Sequence, residues 1–232
     1  MSVFVYLVEQ MAELLEPVFH ASAAAAAIVL FTALVRLLVH PLSRATARGQ
    51  RARAALQPKV AALREKYGKD PERLQRAVLE LHAEEKVSPL AGCLPGVLQL
   101  PAFFVLYHLF SHTTIGGETN ELLGHRLFTA PLGGRWADAL ADGGVFGGAG
   151  LVYLGLFAVV ACLATFTYLR TRRTMAETRT AVAVPGMGAV GKVLPFTSFL
   201  TLVTVAVVPL AAALYVVTST AWATVERVVL YR

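Results

Sequence analysis

Charge is scarce in this chain. Asp, Glu, Lys and Arg together make up 16% of its 232 residues, against 56% hydrophobic ones, where a soluble domain carries about 25% charged residues. With a mean hydropathy of +0.60, the composition excludes an ordinary soluble domain and points to an all-α integral membrane protein. Cysteine is almost absent: Cys93 and Cys162 lie in separate apolar runs without metal-ligand spacing, and both read as small buried hydrophobes. No serine or cysteine nucleophile stands in a motif, and the acids fall in loops or at the ends of apolar runs. That pattern offers nothing for covalent or hydrolytic catalysis, so no enzyme, metal or cofactor is expected.

What the chain does have is long apolar runs. Five segments, 21–42, 89–110, 150–169, 193–208 and 210–230, are long enough to cross a hydrocarbon core of about 30 Å as helices. The fourth is short, and Pro209 parts it from the fifth by so little that the two should form a tight helical hairpin. Residues 1–20 carry Glu9, Glu13 and Glu16 and lack a basic start, unlike a secretory signal. Phe4, Leu7, Val8, Met11, Leu14, Leu15 and Val18 follow helical spacing there, as in an amphipathic helix on the outer membrane surface.

The 21 Lys and Arg residues set the orientation. Eleven fall in 43–88, five in 170–192 and two at Arg227 and Arg232, whereas 111–149 holds only Arg126 and Arg135 and residues 1–20 hold none. This asymmetry places the N-terminus outside and the C-terminus in the cytoplasm. It also accounts for most of the net charge of +6, so no specific nucleic-acid partner is implied. Segment 43–88 reads as a basic helical hairpin in the cytoplasm. Its first helix continues span one until Pro58 interrupts it, and Leu56, Val60, Leu63 and Tyr67 form an apolar stripe. Gly68-Lys69-Asp70-Pro71 then gives a turn in which Asp70 caps a second helix, whose Leu74, Val78 and Leu81 can pair with that stripe. The external loop 111–149 is Gly-rich and reads as an irregular connection, and 170–192 as a cytoplasmic loop.

One residue breaks the apolar pattern at high cost. Arg36 lies inside the first run, where an arginine at a helix centre costs about 3 kcal/mol or more. Thr32, Arg36 and His40 recur at i, i+4, i+8 on one helical face. Because Arg36 is only about 10 Å inside Ser43, snorkelling toward the boundary competes with a wet cavity. Further polar stripes favour the cavity. Thr197, Thr201 and Thr204 share a face of span four, Tyr215, Thr218 or Ser219, and Trp222 share one of span five, and Gln99 sits mid-way along span two. Each threonine taken alone reads as satisfying its own backbone, but together with Arg36 the stripes suggest a shared hydrophilic groove.

Two motifs that resemble chemistry do not hold up. Gly186, Gly188, Gly191 and Lys192 match a dinucleotide fingerprint and most of a phosphate loop, but Val193 stands where the magnesium-binding hydroxyl belongs and an apolar span follows. His108 and His112 have i, i+4 spacing without a third ligand and read as interfacial.

The chain resembles the YidC/Oxa/Alb membrane protein insertases in a short bacterial form. The resemblance is carried by Ala33-Leu34-Val35-Arg36-Leu37-Leu38-Val39-His40-Pro41-Leu42, by Leu56-Gln57-Pro58-Lys59 and by Lys66-Tyr67-Gly68-Lys69-Asp70-Pro71. It is most specific at Ser88-Pro89-Leu90-Ala91-Gly92-Cys93-Leu94-Pro95 with Gln99-Leu100-Pro101, and it closes with Val208-Pro209-Leu210, Leu214-Tyr215 and Thr218-Ser219-Thr220. The family implies a bacterial plasma-membrane protein with five transmembrane helices around a hydrophilic groove open to the cytoplasm and to lipid. It implies that Arg36 attracts the polar or acidic tail of a nascent membrane protein during insertion. The ribosome and the Sec translocon are candidate partners beside the lipid bilayer. The sequence stops at Arg232, just after span five, so strong autonomous ribosome docking through a tail is not expected. A small anion transporter using Arg36 and a non-inserting assembly scaffold are the competing classes. An inverted repeat with two broken helices would favour the transporter, and the sequence displays no such repeat.

Overall fold

The computed structural model describes residues 2–87, 104, 107–115, 117–181 and 194–230, and the protein is mostly helical with few strands. Helix α1, Ser2–Phe19, is followed by a short 3-10 turn, His20–Ser22, and by α2, Ala23–Tyr67. His20 takes a left-handed φ of 45°, and this turn folds α1 back along α2. Val8 and Ala12 are buried against Ala24, Ala25 and Ile28, with Met11 and Leu15 beside them, while Leu7, Leu14 and Val18 stay exposed. One stripe of the amphipathic helix thus packs on the protein and the other faces outward.

Helix α2 runs for 45 residues without a stop at either Pro41 or Pro58, so the expected break at Pro58 is corrected. Proline there removes one bond to the carbonyl four residues back, which belongs to the exposed Ala54 and can turn to water, so the helix continues. After Gly68 the chain reverses. The Asp70 side chain accepts from the Arg73 N–H at 3.0 Å, with Pro71 as the first helical residue of α3, Pro71–Glu84. Helix α3 packs back on α2, with Leu56 and Val60 buried, Leu74, Val78 and Leu81 half-buried, and Lys59 bonded to Glu85.

The region 111–149 is more ordered than an irregular connection, which corrects both that reading and a strictly all-α fold. It contains two antiparallel pairs, β1 (Thr114–Ile115) with β2 (Glu118–Thr119) and β3 (Arg126–Leu127) with β4 (Ala130–Pro131), followed by α4, Trp136–Gly143. Two-residue strands carry no period that a sequence could display. Gly117 at φ 91° serves the first pair. Buried Asn120 donates through Nδ2 to the carbonyls of Leu109 (2.8 Å) and His112 (3.0 Å), capping the helical residues 107–111.

Helix α5, Gly148–Ala181, runs 34 residues, so 170–181 is helical rather than loop. Trp136 sits 5.7 Å from the Tyr153 ring and 5.2 Å edge-on from Phe157, pinning α4 to α5. Cys162 is exposed on α5, contrary to the buried expectation. Cys93 lies outside the described residues, as do most of span two and residues 182–193. Span four opens as a 3-10 helix, Leu194–Phe199, before α6, Leu200–Val207. The longer 3-10 rise lets these residues reach about 24 Å. Val208 and Pro209 then link α6 to α7, Leu210–Leu230, as a tight hairpin.

Helix α7 is the axis of the bundle, with Leu210 to Ala213 fully buried. Its first N–H groups, on Leu210 and Ala211, donate to the carbonyls of Gly134 and Leu132, each at 2.9 Å. At its other end Arg51 of α2 donates to the Leu230 carbonyl and Arg170 of α5 to the Arg227 carbonyl. Two of the orphan backbone groups at each end are therefore satisfied from other elements, with cations at the negative end of the helix dipole. Tyr153 of α5 also donates to Gly134 O at 2.6 Å. With N-termini meeting the 132–134 segment and C-termini tied by arginines, α5 and α7 run parallel, and the bonds 36 to 219 and 51 to 230 make α2 parallel to α7 as well.

Candidate functional site

Arg36 is half-buried on α2, about two turns before Arg44, the first arginine of the basic stretch, and faces α7. Its Nε donates to Ser219 Oγ at 3.1 Å and its Nη2 bonds the same hydroxyl. Ser219 is 7% exposed, so an uncharged hydroxyl receives the guanidinium inside the α2–α7 seam. A hydroxyl orients this cation without cancelling its charge. Among the described residues Arg36 forms no ion pair.

One turn along α2, His40 Nδ1 lies 2.5 Å from Glu226 Oε1 on α7. With Glu226 ionised the carboxylate only accepts, and in that state the imidazole N–H is the donor. Glu226 is the more sheltered partner, with 11% of its side chain exposed against 29% for His40. Above the Arg36 level, Tyr215 is buried with its ring 6.2 Å from Phe110. The seam thus carries two polar rungs, Arg36–Ser219 and His40–Glu226, under an aromatic layer.

Other candidates stand elsewhere. Thr32 is 1% exposed and its hydroxyl donates to Ile28 O of its own helix at 2.7 Å, a backbone bond rather than a seam contact. Thr204 does the same with Leu200 O at 3.2 Å. Thr201 and Thr218 are half-buried and Thr197 is exposed. Gln99 and the Gly186 to Lys192 run lie outside the described residues. His108 and His112 stack with ring centroids 3.8 Å apart. Glu226 is the residue that sequence reasoning missed. Its signal was present, because Tyr215, Ser219, Trp222 and Glu226 recur at i, i+4, i+7, i+11 on one face.

Around this seam the helices expose apolar side chains, among them Leu34, Leu37 and Leu38 on α2, Leu151, Val159 and Phe166 on α5, and Leu200, Val203 and Val207 on α6. Two helical stretches, Tyr6–Tyr67 and Gly148–Arg173, are long and apolar enough to cross a membrane, and Phe196–Val207 is a shorter apolar one. An outer surface of this kind suits lipid. Residues 15–232 match the model of the 60Kd inner membrane protein family. The chain belongs to this family, that of YidC and Oxa. Relatives similar in part include proteins named membrane protein insertase YidC from Tolumonas auensis, 46% identical over 81 residues, and from Laribacter hongkongensis, 47% identical over 81 residues. Each match takes in 35% of this chain and 15% of the relative. The relative of that name from Clostridium perfringens is 40% identical over 87 residues, 38% of this chain and 37% of its own length. The match therefore spans well under half the length of these YidC relatives.

Proposed function

We propose that the protein is a membrane protein insertase and chaperone, acting on nascent membrane proteins through a hydrophilic groove that opens to the cytoplasm and includes the α2–α7 seam. Its five spans are 21–42, 89–110, 150–169, 193–208 and 210–230, with the N-terminus outside, the C-terminus inside and 43–88 standing in the cytoplasm. The observation that carries this reading is Arg36, a cation deep in an apolar helix, turned to Ser219 on α7 and paired with no carboxylate among the described residues. A snorkelling arginine would direct its guanidinium along α2 toward the boundary, rather than across to a buried hydroxyl.

The physics is that of a shortened barrier. An unsatisfied polar group entering hydrocarbon costs several kcal/mol, and a wet recess reduces the distance over which that cost applies. Arg36 offsets part of the cost for an acidic segment, because charges interact more strongly where water is sparse. The apolar segment then moves sideways into lipid, where transfer of its side chains from water supplies the driving force. No nucleotide hydrolysis is required. Partners that deliver substrates, the ribosome and the Sec translocon, belong to the same reading.

An insertion assay with single-span substrates bearing acidic or neutral translocated tails tests it, at matched membrane levels of each variant. Arg36→Ala should lower insertion of acidic-tailed substrates by about tenfold, the size of one charge-assisted contact. Arg36→Lys should retain part of the activity, since the charge survives without the planar fork. Full activity of the alanine variant on both substrates would remove Arg36 from the mechanism.

A further inference from the structure

We infer that His40 is a positioning residue: its bond to Glu226 holds that carboxylate away from Arg36 and so keeps the groove guanidinium available to acidic segments. The inference rests on the insertase reading and assigns a task to two residues that this reading leaves without one.

Arg36 and His40 are one turn apart on the same face of α2, a rise of about 6 Å. Glu226 meets His40 in the seam with its Oε1 2.5 Å from Nδ1, so a carboxylate sits one turn from the guanidinium. Both side chains are flexible enough to cover that separation, and in a sheltered seam opposite charges attract strongly. Were Glu226 to swing to Arg36, the resulting pair would cancel the charge that an approaching acidic tail must meet. Two alternative partners prevent this. Ser219 Oγ occupies Nε and Nη2 of Arg36, and the imidazole N–H occupies Glu226. The four residues sort into two rungs, with the guanidinium on the Ser219 hydroxyl and the carboxylate on the His40 imidazole.

The arrangement also explains why an acid is tolerated in a groove meant for acidic substrates. Glu226 is 11% exposed, and a carboxylate so sheltered requires a donor. His40 supplies one without placing a permanent charge beside Arg36, as Lys or Arg would.

The test uses the full chain in its membrane, with the same acidic-tailed and neutral-tailed substrates. His40→Ala should lower acidic-tail insertion about fivefold, the scale of coupling between neighbouring groups, and leave neutral-tail insertion within about twofold. Adding Glu226→Gln to it should restore acidic-tail insertion, because no carboxylate remains to capture Arg36. His40→Gln, which keeps an N–H donor, should behave as the parent. Where His40→Ala does not accumulate, His40→Leu takes its place. Equal loss on both substrates, no loss at all, a defect in His40→Gln, or failure of Glu226→Gln to rescue overturns the inference. Arg36→Ala in the same assay separates the two levels. If it inserts acidic tails normally, the groove reading itself fails; if it is defective while His40→Ala is normal, only the role of His40 falls.

Discussion

Single residues decide more here than their number suggests. Asn120 is 5% exposed and its amide serves two carbonyls, of Leu109 and His112, at the end of the helical residues 107–111. Asn120→Leu leaves both carbonyls without that donor in a buried setting, and should cost about 2 kcal/mol, read as a lowered midpoint of unfolding in detergent. Asn120→Asp, which retains the shape and loses the donors, should be no milder. The threonines behave in the opposite way. Thr32, Thr204, Thr220 and Thr224 each donate to the carbonyl four residues back, so their hydroxyls are satisfied within one helix. Which residue types would be costly was legible in the sequence, because the penalty for Arg36 is a property of the side chain and its apolar neighbours. Which residue would answer it was not. Thr218 and Ser219 differ by about 100° around α7, and only packing against α2 selects Ser219. Glu226 was passed over because an acid at a span end reads as interfacial, and its shelter is a matter of three dimensions.

At the scale of elements, local chemistry was readable and continuity was not. The Asp70 cap and Pro71 start of α3 follow from two adjacent residues, as does the short link at Val208 and Pro209. By contrast α2 passes Pro58 and α5 passes residue 170, since tertiary support and water-accessible carbonyls outweigh a single helix breaker or a run of charge. Cys162 turned out exposed because a helix in lipid has apolar residues on every side, so composition cannot tell inward from outward. The pairing of α2 with α3 rests on few groups, chiefly Leu56, Val60 and the Lys59–Glu85 contact. Helix α7, capped at both ends and buried at Leu210 to Ala213, should be the slowest element to exchange its amide hydrogens. Amides of residues 67–71 should exchange fast, and Val60→Ala should accelerate exchange across α3 while α7 stays unchanged. Protection at 67–71 equal to that of α7 would count against a loosely held hairpin.

The whole molecule makes one further commitment, to its direction across the membrane. Helices α2, α5 and α7 run parallel, with their N-terminal ends at the 111–149 region, where Phe128 N–H meets Ser22 and Leu210 N–H meets Gly134. Their other ends gather Arg51, Arg170 and Arg227. Eighteen of the 21 basic residues fall in 43–88, in 170–192 and at Arg227 and Arg232, the segments expected on that second side, against Arg126 and Arg135 in 111–149. Cationic loops are retained in the cytoplasm during assembly, so 43–88 and 170–192 should face inward and 111–149 outward. With Cys93 and Cys162 replaced by alanine, single cysteines introduced by Gly117→Cys and Gly143→Cys should react with an impermeant thiol reagent applied to intact cells. Lys69→Cys and Thr178→Cys should react only after the membrane is opened. The four positions test separate connections, so the pattern discriminates among errors. Labelling of position 178 from outside together with 117 and 143 would remove span three as a crossing, whereas labelling of 69 and 178 with protection of 117 and 143 would invert the protein and turn the arginine-rich end outward. The insertase reading requires the first pattern, because a groove that receives nascent chains must open where they are made.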